Sequence, residues 1–275
     1  MFNPFESSRS KAKPYYLYFI RYGAGANEFY AFTNNEFPVI NNGVTYVVRQ
    51  ITHGDISTTG TLDKSTTDLM TPKTNELFEL FRVYPPSYRV QLTIMKGHYG
   101  DPANEVKTIW SGRILNMQVR GSECTFSCEP IVTTMKRLGL RRNWQYGCPH
   151  PLYLGGCFAN KNAVKRTATV AAISGADLTL ATDWNGSIPV DKYIGGFIEI
   201  PAATVSARTI LRVAGNVLTI AGSMSGLSTG ATVAIYPGCA HNMEDCKGVH
   251  NNIVNFGGQP WIPTDNPVGS KNNFY

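Results

Sequence analysis

Nowhere in these 275 residues do about eighteen apolar residues run together, which leaves no candidate for a membrane-spanning helix. Residues 1–10 also lack an apolar stretch of the length a secretory signal needs. The expectation is a chain made and folded in a reducing cytoplasm, where structural disulfides are rare. Charge is sparse too. Asp, Glu, Lys and Arg make up 16% of the residues against 43% hydrophobic, the balance of a folded protein with a polar, uncharged surface. The net charge of +6 is scattered. Its densest stretch, Lys136, Arg137, Arg141 and Arg142 beside Trp144 and Tyr146, has the make-up of a phosphate-gripping, base-stacking segment and equally that of a solvated or interface-forming connector. No specific nucleic-acid binding is expected of it.

What is present is a set of paired cysteines. Cys148 and Cys157 bracket eight residues rich in Gly, Pro and His, and Cys239 and Cys246 bracket six. Thiolates are soft donors, and turns let two sulfurs face one centre, so two such pairs have the form of a four-thiolate metal or iron–sulfur site. The spacing leaves three alternatives open. Zinc ribbons usually place two to four residues between paired cysteines, no ferredoxin-type run is present, and two disulfides would need an oxidising compartment. Cys124 and Cys128 differ: in an alternating strand they share a face with Phe126 between them, the pattern of small buried hydrophobes.

The pattern predicts a mainly β chain in three parts. Residues 1–140 read as a β-rich domain with strands at 15–22, 28–33, 44–49, 61–69, 89–95, 107–119 and 123–128. Asn41-Asn42-Gly43 signals a hairpin, and a helix over 74–82 has Thr74 as its cap. Residues 164–236 form a second, small β-barrel or sandwich with an internal echo: the stretches 173–181 and 213–221 share one turn and one exit strand. Residues 141–163 plus 237–275 make a discontinuous, loop-rich domain around the four cysteines, with little apolar core, so a metal centre would supply much of its folding energy. The insert is expected to be dispensable for that centre, since both cysteine pairs lie outside it. The tail from 255 to 265, rich in Gly and Pro, is expected to run extended.

Leu138-Gly-Leu-Arg-Arg142, Tyr146-Gly-Cys-Pro-His-Pro-Leu-Tyr153 with Cys157, Tyr236-Pro-Gly-Cys239 with Cys246, and Asn255-Phe-Gly-Gly-Gln-Pro-Trp-Ile-Pro263 together resemble the tail hub, or tail-tip, proteins of long-tailed phages of the lambda type, prophages and gene transfer agents. The resemblance runs along the whole chain and is specific from about residue 134 onward. It implies a structural virion protein rather than an enzyme, with a barrel-like hub domain at the N-terminus. It also implies a 4Fe–4S cluster held by Cys148, Cys157, Cys239 and Cys246. The implied assembly is a ring, usually a trimer, at the baseplate or tail tip. It would sit between the distal tail protein and the central receptor-binding tip, with the tape measure protein as a further neighbour, and viral DNA would pass through the channel without specific binding. Assembly would take place in the host bacterial cytoplasm. His150 and His241, each two residues after the first cysteine of its pair, are candidates to donate N–H groups to sulfur.

Two rival functions are weighed against it. One is a zinc-stabilised receptor- or carbohydrate-binding tail module with Trp184 and Tyr193 as a sugar platform. The other is a thiol peptidase pairing a cysteine with His150, His241 or His250, for which no local signature exists.

Overall fold

A computed structural model describes residues 2–10, 13–23, 25–56, 66–82, 85–136, 139, 144–181, 183–200, 206–222 and 227–263. The chain divides into two compact units, Met1–Arg137 and, in the main, the remainder.

The first unit begins with a short helix, α1 (Phe2–Glu6), and continues through β1 (Pro14–Arg21), β2 (Phe29–Thr33), β3 (Val39–Asn41), β4 (Val44–Val48), β5 (Thr52–His53), β6 (Thr67–Pro72), α2 (Glu76–Arg82), β7 (Val90–His98), β8 (Lys107–Arg120) and β9 (Glu123–Pro130). Nine strands pair in the order β3-β4-β2-β1-β7-β8-β9-β6-β5. The β3–β4 hairpin turns at Asn42 and Gly43, both at positive φ, the conformation Asn-Gly adopts at little cost. Alternation does the rest: Cys124, Phe126 and Cys128 of β9 all face the core with Tyr18, Leu92 and Ile94. Helix α2 lays Leu77 and Phe81 on that core, and the Phe81 and Phe126 rings meet edge to face at 5.4 Å. Its cap is Asn75 rather than Thr74, because the Asn75 Oδ1 accepts the Leu77 N–H at 2.9 Å. The β-rich first domain expected from the sequence is built, among the described residues, as one nine-stranded sheet. The terminal strands β3 and β5, of three and two residues, do not pair with each other, so the sheet is left open. The strand expected over 61–69 starts at Thr67, and positions 61–65 lie outside the described residues.

The second unit contains α3 (Lys161–Val164), β10 (Arg166–Ser174), β11 (Asp177–Leu180), β12 (Phe197–Ile200), β13 (Ser206–Ala214), β14 (Val217–Ile220), β15 (Thr232–Tyr236) and α4 (Met243–Gly248). Its six strands close into a barrel in the order β10-β11-β14-β13-β12-β15. The echo in the sequence is a structural duplication, β10-β11-β12 and β13-β14-β15, related by an approximate two-fold axis. Leu178 pairs with Leu218, flanked by Asp177 opposite Thr219 and Thr179 opposite Val217. Both long strands shift register at the same place, between Val170 and Ala172 and between Ile210 and Arg212. The Leu180 N–H donates to the Asn216 carbonyl and the Ile220 N–H to that of Ala176, at 2.8 and 2.9 Å. Neither half can bury its apolar face alone, and the barrel interior of Val170, Leu178, Ile198, Ile210, Leu218 and Ile235 is shared between them.

Trp184 and Tyr193 belong to that interior. Tyr193 is 0% exposed and Trp184 3%, with ring centroids 4.7 Å apart, so no sugar could stack on either. The sugar-platform expectation for these two residues is therefore overturned. Their aromatic area is what fills the barrel beside the turn at Asn185, whose carbonyl accepts the Tyr193 hydroxyl.

Candidate metal centre

Cys148, Cys157 and Cys239 are carried by loops that include backbone conformations most residues avoid. Between Cys148 and Phe158 the chain places Tyr153, Gly156 and Phe158 at positive φ, and His241 does the same in the other loop. The loops are tied directly, the Cys148 N–H donating to the His241 carbonyl at 2.8 Å. Cys246 rides on α4, which starts at Asn242: the Asn242 side chain accepts the Asp245 N–H at 2.8 Å, while the Asp245 carboxylate reaches back to the Ala240 N–H at 2.9 Å.

Cys148, Cys157, Cys239 and Cys246 line one small cavity of about 10 Å³, with His150, His241, His250 and Asn252 also in its wall. That is room for about one water molecule. None of the four is in a disulfide. Among the described residues, no group of three or more His, Cys, Asp or Glu side chains has the arrangement to hold a single metal ion. A lone zinc keeps its sulfurs about 2.3 Å from one centre, hence neighbouring sulfurs within about 4 Å of each other.

The hydrogen bonds at the sulfurs come from sources that sequence spacing does not reveal. The Gly257 N–H points at the Cys148 sulfur (3.4 Å), the His241 N–H at the Cys239 sulfur (3.3 Å), and the Asn252 Nδ2 lies 3.6 Å from the Cys157 sulfur. His241 thus contributes its backbone N–H. His150 serves as a wedge: a Cβ at Gly156 or at Gly257 would collide with its ring, so two glycines of different loops admit it between them. Burial raises the Cys239 and Cys246 thiols, the latter to about 11. Metal binding has to overcome that protonation. Cys124 and Cys128 stand apart in the first unit's core, where burial pushes the Cys128 thiol up to about 12.

Residues missed in the sequence hold this region to the barrel. The Lys192 ammonium sits 2.7 Å from the Asp245 carboxylate, and the Gly238 N–H donates to the Lys192 carbonyl at 2.8 Å. Tyr153 packs on Phe197, Tyr236 and His250 and donates its hydroxyl hydrogen to the Pro237 carbonyl at 2.8 Å. Gly196 and Gly238 pass so closely that a Cβ on either would strike the other's backbone. The insert is therefore packed against the residues that support the cysteine loops. An Asn-x-x-Asp cap at 242–245 was the one local signal of Asp245 available. Of the basic stretch, Arg137, Arg141 and Arg142 and the Lys136 side chain lie outside the described residues, while Trp144 and Tyr146 are exposed.

The family described as "Phage conserved hypothetical protein BR0599" matches residues 192–266, a span from the barrel through the second cysteine pair to the Trp261 segment. Among solved structures, the fold is similar to a chain of the "Virion of native gene transfer agent (GTA) particle". The TM-score is 0.74, with 18% identity over 98% of each chain. No curated protein matches.

Proposed function

We propose that this chain is a structural protein of a phage-type virion. It would form the hub at the tail tip, with Cys148, Cys157, Cys239 and Cys246 holding a 4Fe–4S cluster. The observation that carries the virion part is the end-to-end likeness of both units to one chain of a gene transfer agent particle, 98% of each chain covered. The phage family match across the second cysteine pair supports it independently.

The cluster part rests on the donor set. Four free thiols face one cavity, and three of their sulfurs already accept N–H groups, the bonds that stabilise thiolates and tune clusters. Four cysteines around one space are the donor set that a four-iron cluster takes. A cluster here ties residues 148–157 to 239–246 as a disulfide would, in a compartment that reduces disulfides. The proposed ring is a homotrimer between the distal tail protein and the central tip.

Immunogold labelling of intact particles tests the placement. Label confined to the tail tip is expected, and particles that lack the chain or carry it elsewhere would contradict the hub.

A further inference from the structure

The four sulfurs are not equivalent. Those of Cys148, Cys157 and Cys239 accept N–H groups, whereas the Cys246 sulfur lies 3.2 Å from the Asn252 carbonyl oxygen. A carbonyl can only accept, so Cys246 is the one of the four that donates an S–H hydrogen. Four residues on stands His250, 9% exposed and in the wall of the same cavity. Its Nε2 is 2.8 Å from the Gly238 carbonyl and must carry the ring hydrogen. In the neutral ring, which burial favours, Nδ1 is then a bare lone pair. Nδ1 is fully buried and has no hydrogen-bond partner. Buried acceptors without donors are rare, and this one belongs to a side chain in the wall of the cavity that the four cysteines line.

We propose that Nδ1 of His250 is a fifth donor atom of the centre, able to take the coordination position of Cys246. This rests on the cavity being a metal centre. It makes the centre asymmetric, with three fixed thiolate positions and one exchangeable position. Imidazole in place of thiolate raises the reduction potential of a cluster, so the exchange would also move the centre's redox poise.

The test is anaerobic reconstitution of the full chain with ferrous iron and sulfide. The variants are Cys246→Ser, Cys148→Ser and Cys246→Ser/His250→Ala, each checked for folding by circular dichroism. Serine at 246 keeps a donor for the Asn252 carbonyl, and Cys246→Ala serves as the second variant because alanine cannot ligate through oxygen. Both Cys246 variants are expected to keep most of the iron and to show a directly bound nitrogen in pulsed EPR of the reduced protein. Adding His250→Ala should remove that nitrogen signal and weaken iron binding on the order of 10-fold or more. Cys148→Ser should lose the iron outright. Cys246 variants as empty as Cys148→Ser, or iron-loaded without bound nitrogen, would overturn the fifth donor while leaving the four-cysteine centre standing. An unsubstituted chain that takes up neither iron–sulfide nor cobalt(II) would overturn the centre itself, and this inference with it.

Discussion

The Lys192 ammonium lies 2.7 Å from the Asp245 carboxylate, joining the barrel to the helix that carries Cys246 across 53 positions of sequence. Asp245 is 3% exposed and also accepts the Ala240 N–H, so it holds the turn after Cys239 and the start of α4 at once. Burial alone would raise its carboxyl. The hydrogen bonds from Lys192 and Ala240 outweigh that and leave it below the usual carboxylate range. Asp245→Ala removes the acceptor and leaves the Ala240 N–H unpaired, a cost of about 1–3 kcal/mol. It is expected to lower the melting temperature of the second unit and the iron retained per chain. Replacing residues 166–236 by a short linker should be worse, since Tyr153, Asp245 and Gly238 all lose partners. Full iron retention in that deletion would show that the barrel is only a passenger.

Gly156 and Gly257 admit the His150 ring from opposite sides, and Gly156 has φ +93. Alanine at either position forces the ring out, and at 156 it adds backbone strain of about 1–3 kcal/mol. Iron content should fall in both variants, with the larger loss of thermal stability at 156. Alanine at Gly155, which meets nothing within 4 Å, is the matched control and should leave both unchanged.

Cys124 and Cys128 give the opposite expectation. Each is buried in β9 against the first unit's core, so alanine there costs a packing loss of about 1 kcal/mol and no iron. Metal analysis of the purified variants checks it; iron loss in either folded variant would place a ligand where none is argued.

The N-terminal helix α1 should respond to acid. Glu6 accepts from Lys96 at 2.6 Å and lies 2.9 Å from the His98 Nε2. The hydrogen bond from Lys96, reinforced by the charge of that ammonium, holds its carboxyl below the ordinary glutamate value. A depressed folded-state value means that the stabilisation is complete above about pH 4.3 and is lost as pH falls through the lower folded value. NMR resonances of residues 2–6 should move toward unfolded positions as the pH falls below the ordinary glutamate value. Glu6→Gln should remove that step.

Local signals in the sequence translated well where one stretch of chain decides the outcome. Asn42-Gly43 became a hairpin turn, and the echo at Leu178 and Leu218 became the two-fold of the barrel. The convergence of the four cysteines was legible because turn-rich sequence offers little else to hold those loops together. What was not legible was decided by distant partners. Asn252 and Gly257 serve the sulfurs through an amide and a backbone N–H, neither of which has a spacing signature. Trp184 and Tyr193 look alike whether they face a sugar or a core, and only the closure of six strands around them decides.

The central claim is that Cys148, Cys157, Cys239 and Cys246 hold one iron–sulfur cluster. The most direct measurement is iron and acid-labile sulfide per chain in protein purified without air, read beside its visible absorbance. The account predicts about four irons and four sulfides per chain and a brown colour that bleaches on reduction. One zinc per chain, or metal-free protein with these thiols in two disulfides, would contradict it.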